Sequence, residues 1–163
     1  MKHAMAEIHW NAKIGANTDV WAHAIICRDV IIESNCCIGS NCYIGSMSFI
    51  GEGSRLQHGV FLPNGSRLGR NVFIGPNATF TDDRHPRVGN KYYIAEPPCL
   101  LDDCSVGAGA VILPGVTIGK GAMIGAGCVV THNVPDHAVV VGNPSKIIRV
   151  GEKQNEPGTA TLP

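Results

Sequence analysis

The chain has 163 residues, of which 44% are hydrophobic, 6% aromatic and 16% charged, and this length suits one domain with a buried core. Thirteen Lys and Arg residues balance thirteen Asp and Glu residues, which excludes the net positive charge that attracts nucleic acids or anionic membranes. No apolar run approaches the roughly 20 residues of a transmembrane helix, and residues 1–13 lack the apolar core of a signal peptide. We therefore expect a cytoplasmic protein that neither binds nucleic acid nor inserts into a membrane.

A six-residue repeat dominates the sequence. Large apolar residues recur every six positions from Ile8 to Phe80 and again from Leu100 to Val130. Four positions after each one the side chain is nearly always small. Three positions after, it is Asn, Asp or Gly in all but two hexads, where His23 and Met47 stand, and these three types tolerate the positive φ of a tight corner. A period of six fits neither an amphipathic helix nor ordinary strands. It predicts an all-β solenoid of short parallel strands, with three hexads in each triangular coil and about six coils.

The repeat also assigns the cysteines and an outer apolar surface. Four of the seven cysteines occupy small inward positions, where we expect buried thiols rather than disulfides or zinc ligands: Cys36, Cys42, Cys104 and Cys128. Outward positions spaced by 18 residues are apolar on two faces: Ile25, Tyr43 and Phe61 on one, Ile31 and Phe49 on the other. Stacked exposed apolar residues suggest a partner surface, so we expect a homo-oligomer.

Residues 81–99 break the repeat. This segment contains charges, three prolines and two tyrosines, and it is too long for a corner, so we expect it to leave the column as an extruded loop. Loops of this kind on a rigid scaffold often carry functional residues. The sequence therefore divides into an N-terminal extension at 1–7, a β-helix domain at 8–150 that contains the loop, and a polar tail at 151–163 that we expect to be flexible.

The hexads read [Leu/Ile/Val]-Gly-x-x-small-x, and residues 112–149 read ILPGVTIGKGAMIGAGCVVTHNVPDHAVVVGNPSKIIR. This pattern resembles the hexapeptide-repeat acyltransferases. The resemblance implies a single-stranded left-handed parallel β-helix, a homotrimer, and acetyl-CoA bound as co-substrate in the groove between neighbouring columns. Matched residue by residue, it implies acetyl-CoA contacts at Ala108, Ala126, Thr131, His132, Asn143, Pro144, Lys146 and Arg149. Small residues let pantetheine approach the main chain, and the two basic residues suit phosphates.

Two further segments, 14–21 and 75–87, resemble the nucleotide-sugar N-acetyltransferases, which acetylate amino sugars destined for surface polysaccharides. The central motif of that group is approximately Gly-Pro-Asn-x-x-Phe-Thr-Asn-Asp-x-x-Pro-Arg, and this chain departs from it by placing Asp82 where the motif has Asn. His85 is the candidate catalytic base because imidazole titrates near neutral pH. The candidate contacts to the nucleotide-linked amino sugar are Asn77, Asp82, Asp83, Arg87 and His58.

Three alternatives remain open. The His-Pro pair at 85–86 also matches, with one extra residue, the loop of sugar O-acetyltransferases of the maltose and galactoside type. Arg55 and Leu56, however, stand where those enzymes have an upstream Asn. A carbonic-anhydrase-like β-helix enzyme would need three His around zinc; His132 and His137 are suitably spaced but lack a third, so we expect no metal. A non-catalytic β-helix module would lack both the loop and the acetyl-CoA segment.

Overall fold

A computed structural model describes residues 1–151, which form 21 strands and no helix. Two-residue strands alternate with tight corners along most of the chain. In chain order the strands are β1 (Glu7–Ile8), β2 (Lys13–Ile14), β3 (Asp19–Val20), β4 (Ile25–Ile26), β5 (Ile31–Ile32), β6 (Cys37–Ile38), β7 (Tyr43–Ile44), β8 (Phe49–Ile50), β9 (Arg55–Leu56), β10 (Phe61–Leu62), β11 (Arg67–Leu68), β12 (Phe73–Ile74), β13 (Thr79–Phe80), β14 (Cys99–Leu100), β15 (Ser105–Val106), β16 (Val111–Ile112), β17 (Thr117–Ile118), β18 (Met123–Ile124), β19 (Val129–Val130), β20 (Ala138–Val141) and β21 (Lys146–Val150).

The strands form three sheets, which are the walls of the column. Wall 1 has seven strands in the order β1-β4-β7-β10-β13-β16-β19, wall 2 has six from β2 to β17, and wall 3 has eight from β3 to β21. From β1 to β16 each strand pairs in parallel with the strand three places later in the chain, so one coil contains three strands. The predicted all-β parallel solenoid is confirmed. It reaches seven levels at wall 1, one more than the predicted six.

Both inward positions of the repeat are buried. From Val20 to Val130 every residue of the six-residue register is at most 1% exposed. The small inward residues pack beside them, and where they are polar they are hydrogen-bonded: the Ser54 hydroxyl donates to the Gly69 carbonyl at 3.0 Å and accepts from the Val72 amide at 3.0 Å. Such pairing removes the cost of a buried hydroxyl.

The four inward cysteines are buried as predicted, and all seven cysteines are free thiols. Burial away from water raises the pKa of Cys42 to about 11 and that of Cys104 to about 12, because a thiolate is poorly solvated there. These two residues are therefore protonated at neutral pH and act as small packing groups rather than nucleophiles.

Close stacking of the coils explains the glycine that often follows the register residue. A Cβ added at Gly51 would lie 2.5 Å from the main chain of Gly69 in the next coil, so no side chain fits there. The two exceptions at the corner position adopt the same conformation as their Asn, Asp and Gly counterparts: His23 has φ 60° and Met47 has φ 61°. The corner geometry therefore overrides residue preference at these two positions.

The ends of the column differ from the rest. The segment predicted as an extension pairs with the first coil, since the Val20 amide donates to the Met1 carbonyl at 2.8 Å and the His23 amide donates to the Met5 carbonyl at 3.0 Å. At the other end β21 turns back antiparallel to β20. Apart from Gly151, the predicted flexible tail lies outside the described residues. Residues 1–151 contain no helix long and apolar enough to cross a bilayer.

The predicted apolar stripes lie on the outer faces of walls 1 and 2. On wall 1 the rings of Tyr43 and Phe61 stack with centroids 5.1 Å apart and an interplanar angle of 11°. Ile31 on wall 2 is 42% exposed. The outer face of wall 3 has two further exposed apolar residues that were not predicted, Phe73 and Met123.

Candidate functional site

Two corner columns flank wall 1, and between them they carry most of the candidate residues. Corner A, which leads from wall 3 into wall 1, includes residues 57–60, 75–78, 107–110 and 125–128. The turn at 142–145, which joins β20 to β21, continues this edge, because the Val129 amide donates to the Gly142 carbonyl at 3.1 Å and the Ser145 amide donates to the Val129 carbonyl at 2.9 Å. Corner B, which leads from wall 1 into wall 2, comprises residues 27–30, 45–48, 63–66 and 113–116, and the loop at 81–98 leaves the column from it.

Corner A is a continuous stack of main chain. The Asn77 amide donates to the His58 carbonyl at 2.9 Å, and the Gly127 amide donates to the Ala108 carbonyl at 2.8 Å. A Cβ at Gly107 would lie 2.5 Å from the Ala126 nitrogen, so the coils touch along this edge. The structure brings together here six of the candidate residues: His58, Asn77, Ala108, Ala126, Asn143 and Pro144. Because these alanines are small and exposed, an extended ligand can lie against the main chain of this edge.

Two of these six are engaged by the corner itself. The Nδ1 atom of His58 accepts a hydrogen bond from the Ser40 amide at 3.1 Å, which places the proton of the neutral ring on Nε2. Asn77 occupies a corner with φ 57°. Both residues therefore have a structural role on corner A, away from the loop that carries the other candidate acceptor contacts.

The remaining candidate acetyl-CoA contacts lie at the top of the column. Lys146 and Arg149 are exposed on β21, which follows the turn at 142–145 and pairs with β20. Thr131 and His132 instead follow β19 on the corner B side, where the Thr131 hydroxyl and His132 Nδ1 are 2.8 Å apart. Within one chain the structure therefore does not bring Thr131 and His132 to the edge that carries Ala108.

The loop leaves the column at the predicted place and ends one residue earlier than predicted, because Cys99 begins β14. A clasp closes its base: the Arg84 guanidinium donates to both carboxylate oxygens of Glu96, at 3.2 and 2.8 Å, and to the Pro114 carbonyl at 3.0 Å. This pairing lowers the pKa of Glu96. The Gly115 amide also donates to the Glu96 carbonyl at 2.7 Å. The clasp therefore fixes both legs of the loop to the next coil.

The loop encloses an open depression of about 400 Å³ whose lining residues are Asp82, Asp83, Arg87, Gly89, Asn90 and Tyr93. Asp82 Oδ2 accepts a hydrogen bond from the Tyr93 hydroxyl at 2.8 Å, and this bond raises the pKa of Tyr93. Asp83 Oδ1 accepts a hydrogen bond from the His85 amide at 2.8 Å. The structure thus brings together three of the five candidate acceptor contacts, and the exposed His85 stands beside them.

Three residues of this region were not singled out from the sequence. Arg84 and Glu96 form the clasp, and Tyr93 binds Asp82. The presence of two tyrosines in an otherwise charged loop was the available signal, but Arg84 and Glu96 are 12 positions apart in a segment without periodicity, so spacing did not predict their contact.

Within residues 1–151, no three His, Cys, Asp or Glu side chains lie close enough together to hold a metal ion. His132 and His137, which are suitably spaced in sequence, lie on different corners. His137 caps the corner between walls 2 and 3, where its amide donates to the Lys120 carbonyl at 2.8 Å. This pair therefore forms no part of a shared site.

Known proteins share the six-residue repeat of this chain. The family model of the bacterial transferase hexapeptide (six repeats) matches residues 11–46 and 100–132. A 2,3,4,5-tetrahydropyridine-2,6-dicarboxylate N-acetyltransferase from Staphylococcus aureus is 43% identical over 81 residues, which cover 50% of this chain and 31% of the relative.

Two solved structures share the fold. Galactoside acetyltransferase in complex with coenzyme A has a TM-score of 0.66 and 28% identity, over 75% of this chain and 64% of that one. PerB from Caulobacter crescentus, in complex with CoA and GDP-perosamine, has a TM-score of 0.54 and 25% identity, over 89% of this chain and 55% of that one. The chain spans less than two thirds of each of these three proteins. The chain therefore has a six-residue repeat and a β-helix fold and is similar to acetyltransferases.

Proposed function

We propose that the chain is an acetyltransferase that transfers the acetyl group of acetyl-CoA to the amine of a nucleotide-linked amino sugar. The observation that carries the proposal is the loop depression, in which two carboxylates and a guanidinium line one concave surface. A depression of this composition suits a ligand with a cationic amine and an anionic phosphate.

Acetyl-CoA is assigned to corner A. The coenzyme A in the galactoside acetyltransferase and in PerB supports this ligand class. Along corner A the exposed Ala108 and Ala126 leave the main chain open to a pantetheine arm. Beyond the turn at 142–145, Lys146 and Arg149 on β21 are the cations proposed to bind its phosphates.

The acceptor is assigned to the loop depression. Arg87 is proposed to bind a phosphate of the nucleotide, because a guanidinium matches phosphate oxygens with two parallel hydrogen bonds. Asp82 and Asp83 are proposed to face the amine. PerB was solved with GDP-perosamine, a nucleotide-linked amino sugar, which supports this substrate class.

The reaction needs few protein groups. The amine nitrogen attacks the thioester carbonyl carbon, the N–C bond forms and the C–S bond breaks. The nitrogen loses one proton and coenzyme A leaves as the protonated thiol. Positioning of the two substrates supplies much of the rate, since a neutral amine is already a good nucleophile. His85 is the proposed base that receives the proton.

A homotrimer is proposed because the two halves of the site lie on opposite edges of wall 1. In this arrangement corner A of one copy faces the loop of the next, and the stacked Tyr43 and Phe61 lie in the contact surface. A light-scattering mass of three chains is expected; a monomer with full activity would contradict the arrangement. The free thiols and the two proposed substrates support a cytoplasmic location.

The proposed activity is tested by thiol release from acetyl-CoA across UDP-, dTDP- and GDP-linked 3-amino and 4-amino sugars, with maltose, galactoside and serine as hydroxyl acceptors. Saturable turnover on an amino sugar supports the proposal. Turnover confined to hydroxyl acceptors contradicts it and supports O-acetyl transfer instead.

O-acetyl transfer is the second candidate, favoured by the similarity to galactoside acetyltransferase and by the exposed His85 before Pro86. A hydroxyl needs a base far more than an amine does. His85→Asn should therefore lower kcat by at least about 100-fold if the acceptor is a hydroxyl. If the acceptor is an amine, the loss of kcat should be smaller, about tenfold, and a variant within about threefold of wild type would remove His85 as the proposed base.

The acetyl-CoA assignment has its own test. Arg149→Ala should raise the KM for acetyl-CoA with little change in kcat, because a phosphate contact binds substrate and transition state alike. The control is Arg28→Ala, which removes an exposed arginine on corner B, near the end of the column that is far from Arg149. An unchanged KM in Arg149→Ala would remove this residue from the assignment.

A further inference from the structure

Asp82 accepts hydrogen bonds at both its main chain and its side chain. Its carbonyl accepts a hydrogen bond from the Glu96 amide at 2.8 Å, and its carboxylate oxygen Oδ2 accepts from the Tyr93 hydroxyl at 2.8 Å. Both donors belong to the returning leg of the loop. The side chain of Asp82 is only partly exposed and lines the depression. Its position therefore depends on how the two legs meet.

Asp83 and Tyr92, which adjoin Asp82 and Tyr93 in the sequence, make different contacts. Asp83 accepts the amide of His85 and so serves the turn of its own leg. Tyr92 is 90% exposed, and its main-chain amide donates a hydrogen bond to Asn90 Oδ1 at 3.0 Å. Of the two adjacent tyrosines, Tyr93 is therefore the one whose hydroxyl contacts a carboxylate.

The hydrogen bond from Tyr93 leaves one carboxylate oxygen of Asp82 available. Among the hydrogen bonds of residues 1–151, Asp82 Oδ1 has no partner, whereas Oδ2 is bonded to the phenol. A donor on one oxygen restrains rotation of the carboxylate and so fixes where the second oxygen lies. The same bond raises the pKa of Tyr93, so the phenol keeps its proton and remains a donor through neutral and mildly alkaline pH.

We propose that Tyr93 is a positioning residue that holds Asp82 so that its second carboxylate oxygen accepts a hydrogen bond from the amine of the acceptor. This inference rests on the proposed function. A fixed carboxylate attracts an amine, which is cationic when protonated, more strongly than it attracts a neutral hydroxyl. The Tyr93–Asp82 pair therefore gives the depression its preference for amines.

The test compares Tyr93→Phe with Tyr92→Phe, two variants that each remove one phenol oxygen from the same loop. Tyr93→Phe should raise the KM for the amino sugar about tenfold, the scale of a hydrogen bond to a charged group, and leave the KM for acetyl-CoA unchanged. Tyr92→Phe should leave both unchanged. Asp82→Asn should raise the amino-sugar KM at least as much, and adding Tyr93→Phe to it should change the KM less than about twofold, because Tyr93 acts through Asp82.

The outcomes separate this inference from the proposed function. If the wild type turns over an amino sugar and Tyr93→Phe keeps the wild-type KM, the inference is wrong and the proposed function stands. Equal rises in both KM values would show a general defect of the loop and would also overturn the inference. If the wild type uses hydroxyl acceptors alone, or no acceptor, both the inference and the proposed function fail.

Discussion

The column and the loop at 81–98 are stabilised by different forces, although they belong to one chain. In the column, each coil repeats the contacts of the coil before it: parallel main-chain hydrogen bonds, buried aliphatic residues and close glycine contacts. In the loop, the contacts are unique and polar, such as the pairs Arg84–Glu96 and Tyr93–Asp82. The column is therefore sensitive to volume, whereas the loop is sensitive to charge and to single hydrogen bonds.

This division has a functional meaning. A solenoid coil has little freedom to change, because each strand residue faces a counterpart in the next coil, 18 positions away where the loop does not intervene. The loop contacts the column chiefly at its base, through Pro114 and Gly115, so its outer residues can vary without disturbing the coils. Acceptor selectivity is thus expected to reside in the loop and acetyl-CoA binding on the column.

The largest expected effect is on the free energy of unfolding, when a methyl group is added at a glycine of the column and, for comparison, at a glycine of the loop. Gly51→Ala places a Cβ 2.5 Å from the main chain of the next coil, and the free energy of unfolding should fall by about 3 kcal/mol or more. Gly89→Ala in the loop meets no atom within 4 Å. Its φ of 74° strains an alanine locally by about 1 kcal/mol, without separating the coils. Urea unfolding measures both, and equal losses would contradict the division.

The second prediction concerns pH. Because burial raises the pKa of Cys104 to about 12, the unfolded chain releases this proton from about pH 9 upward while the folded chain keeps it. The stability that this thiol contributes is complete below pH 9 and is lost as pH rises toward 12. Between pH 9 and 10.5, unfolding free energy should fall by about 1.5 kcal/mol less in Cys104→Ala than in wild type.

The matched control for this pH prediction is Cys37→Ala, which removes a half-buried thiol from the outer face of wall 3. It should keep the wild-type decline between pH 9 and 10.5 in the same urea titrations. A decline in Cys104→Ala as steep as that of the wild type would show that the buried thiol does not govern this pH range.

A smaller effect is expected from the buried hydroxyl of Ser54. Ser54→Ala leaves the Val72 amide and the Gly69 carbonyl without this partner, and the loss should be about 1 kcal/mol. Ser105→Ala, on the outer face of β15, is the control and should change stability by less than about 0.5 kcal/mol. Similar values for the two variants would mean that this inward hydrogen bond adds nothing.

The smallest effect on global stability is expected in the loop. Glu96→Gln removes the charge that Arg84 contacts and should leave the unfolding midpoint of the column unchanged. The clasp should open more often, so trypsin should cut faster after Arg87 and Lys91. In wild type the clasp should open as pH falls below the ordinary range of a Glu, because its pairing with Arg84 lowers the pKa of Glu96; hydrogen exchange of the Gly115 amide, measured by NMR against its intrinsic rate, checks this at a pH where trypsin is inactive. Glu7→Gln, an exposed acid on β1, is the control for cleavage rate.

Much of the column was predictable from sequence because its determinants recur. The apolar register, the small inward residues and the corner residues each recur at six-residue intervals, and 18 residues bring a position back to the same wall. Even His23 and Met47, which break the residue preference, adopt the corner conformation. The inward placement of Cys42 and Cys104 followed from the same count.

The site was predictable only in part. The sequence located the loop and placed Asp82, Asp83 and Arg87 in it, and the structure brings these three to one depression. It did not predict that His58 and Asn77 lie on corner A, across wall 1 from that depression. Residues that belong to one motif in sequence can lie on different edges of a solenoid, because a single six-residue repeat carries the chain from one corner to the next.

By itself, the sequence determined the period, the walls, the buried residues and the place where the repeat is interrupted. The tertiary structure alone decided that Tyr93 reaches Asp82, that Arg84 meets Glu96, and that β21 turns back along β20. The physical reason is that a repeat fixes each contact by its distance along the chain. A segment without a repeat has no such rule, and its contacts depend on the path of its backbone in space.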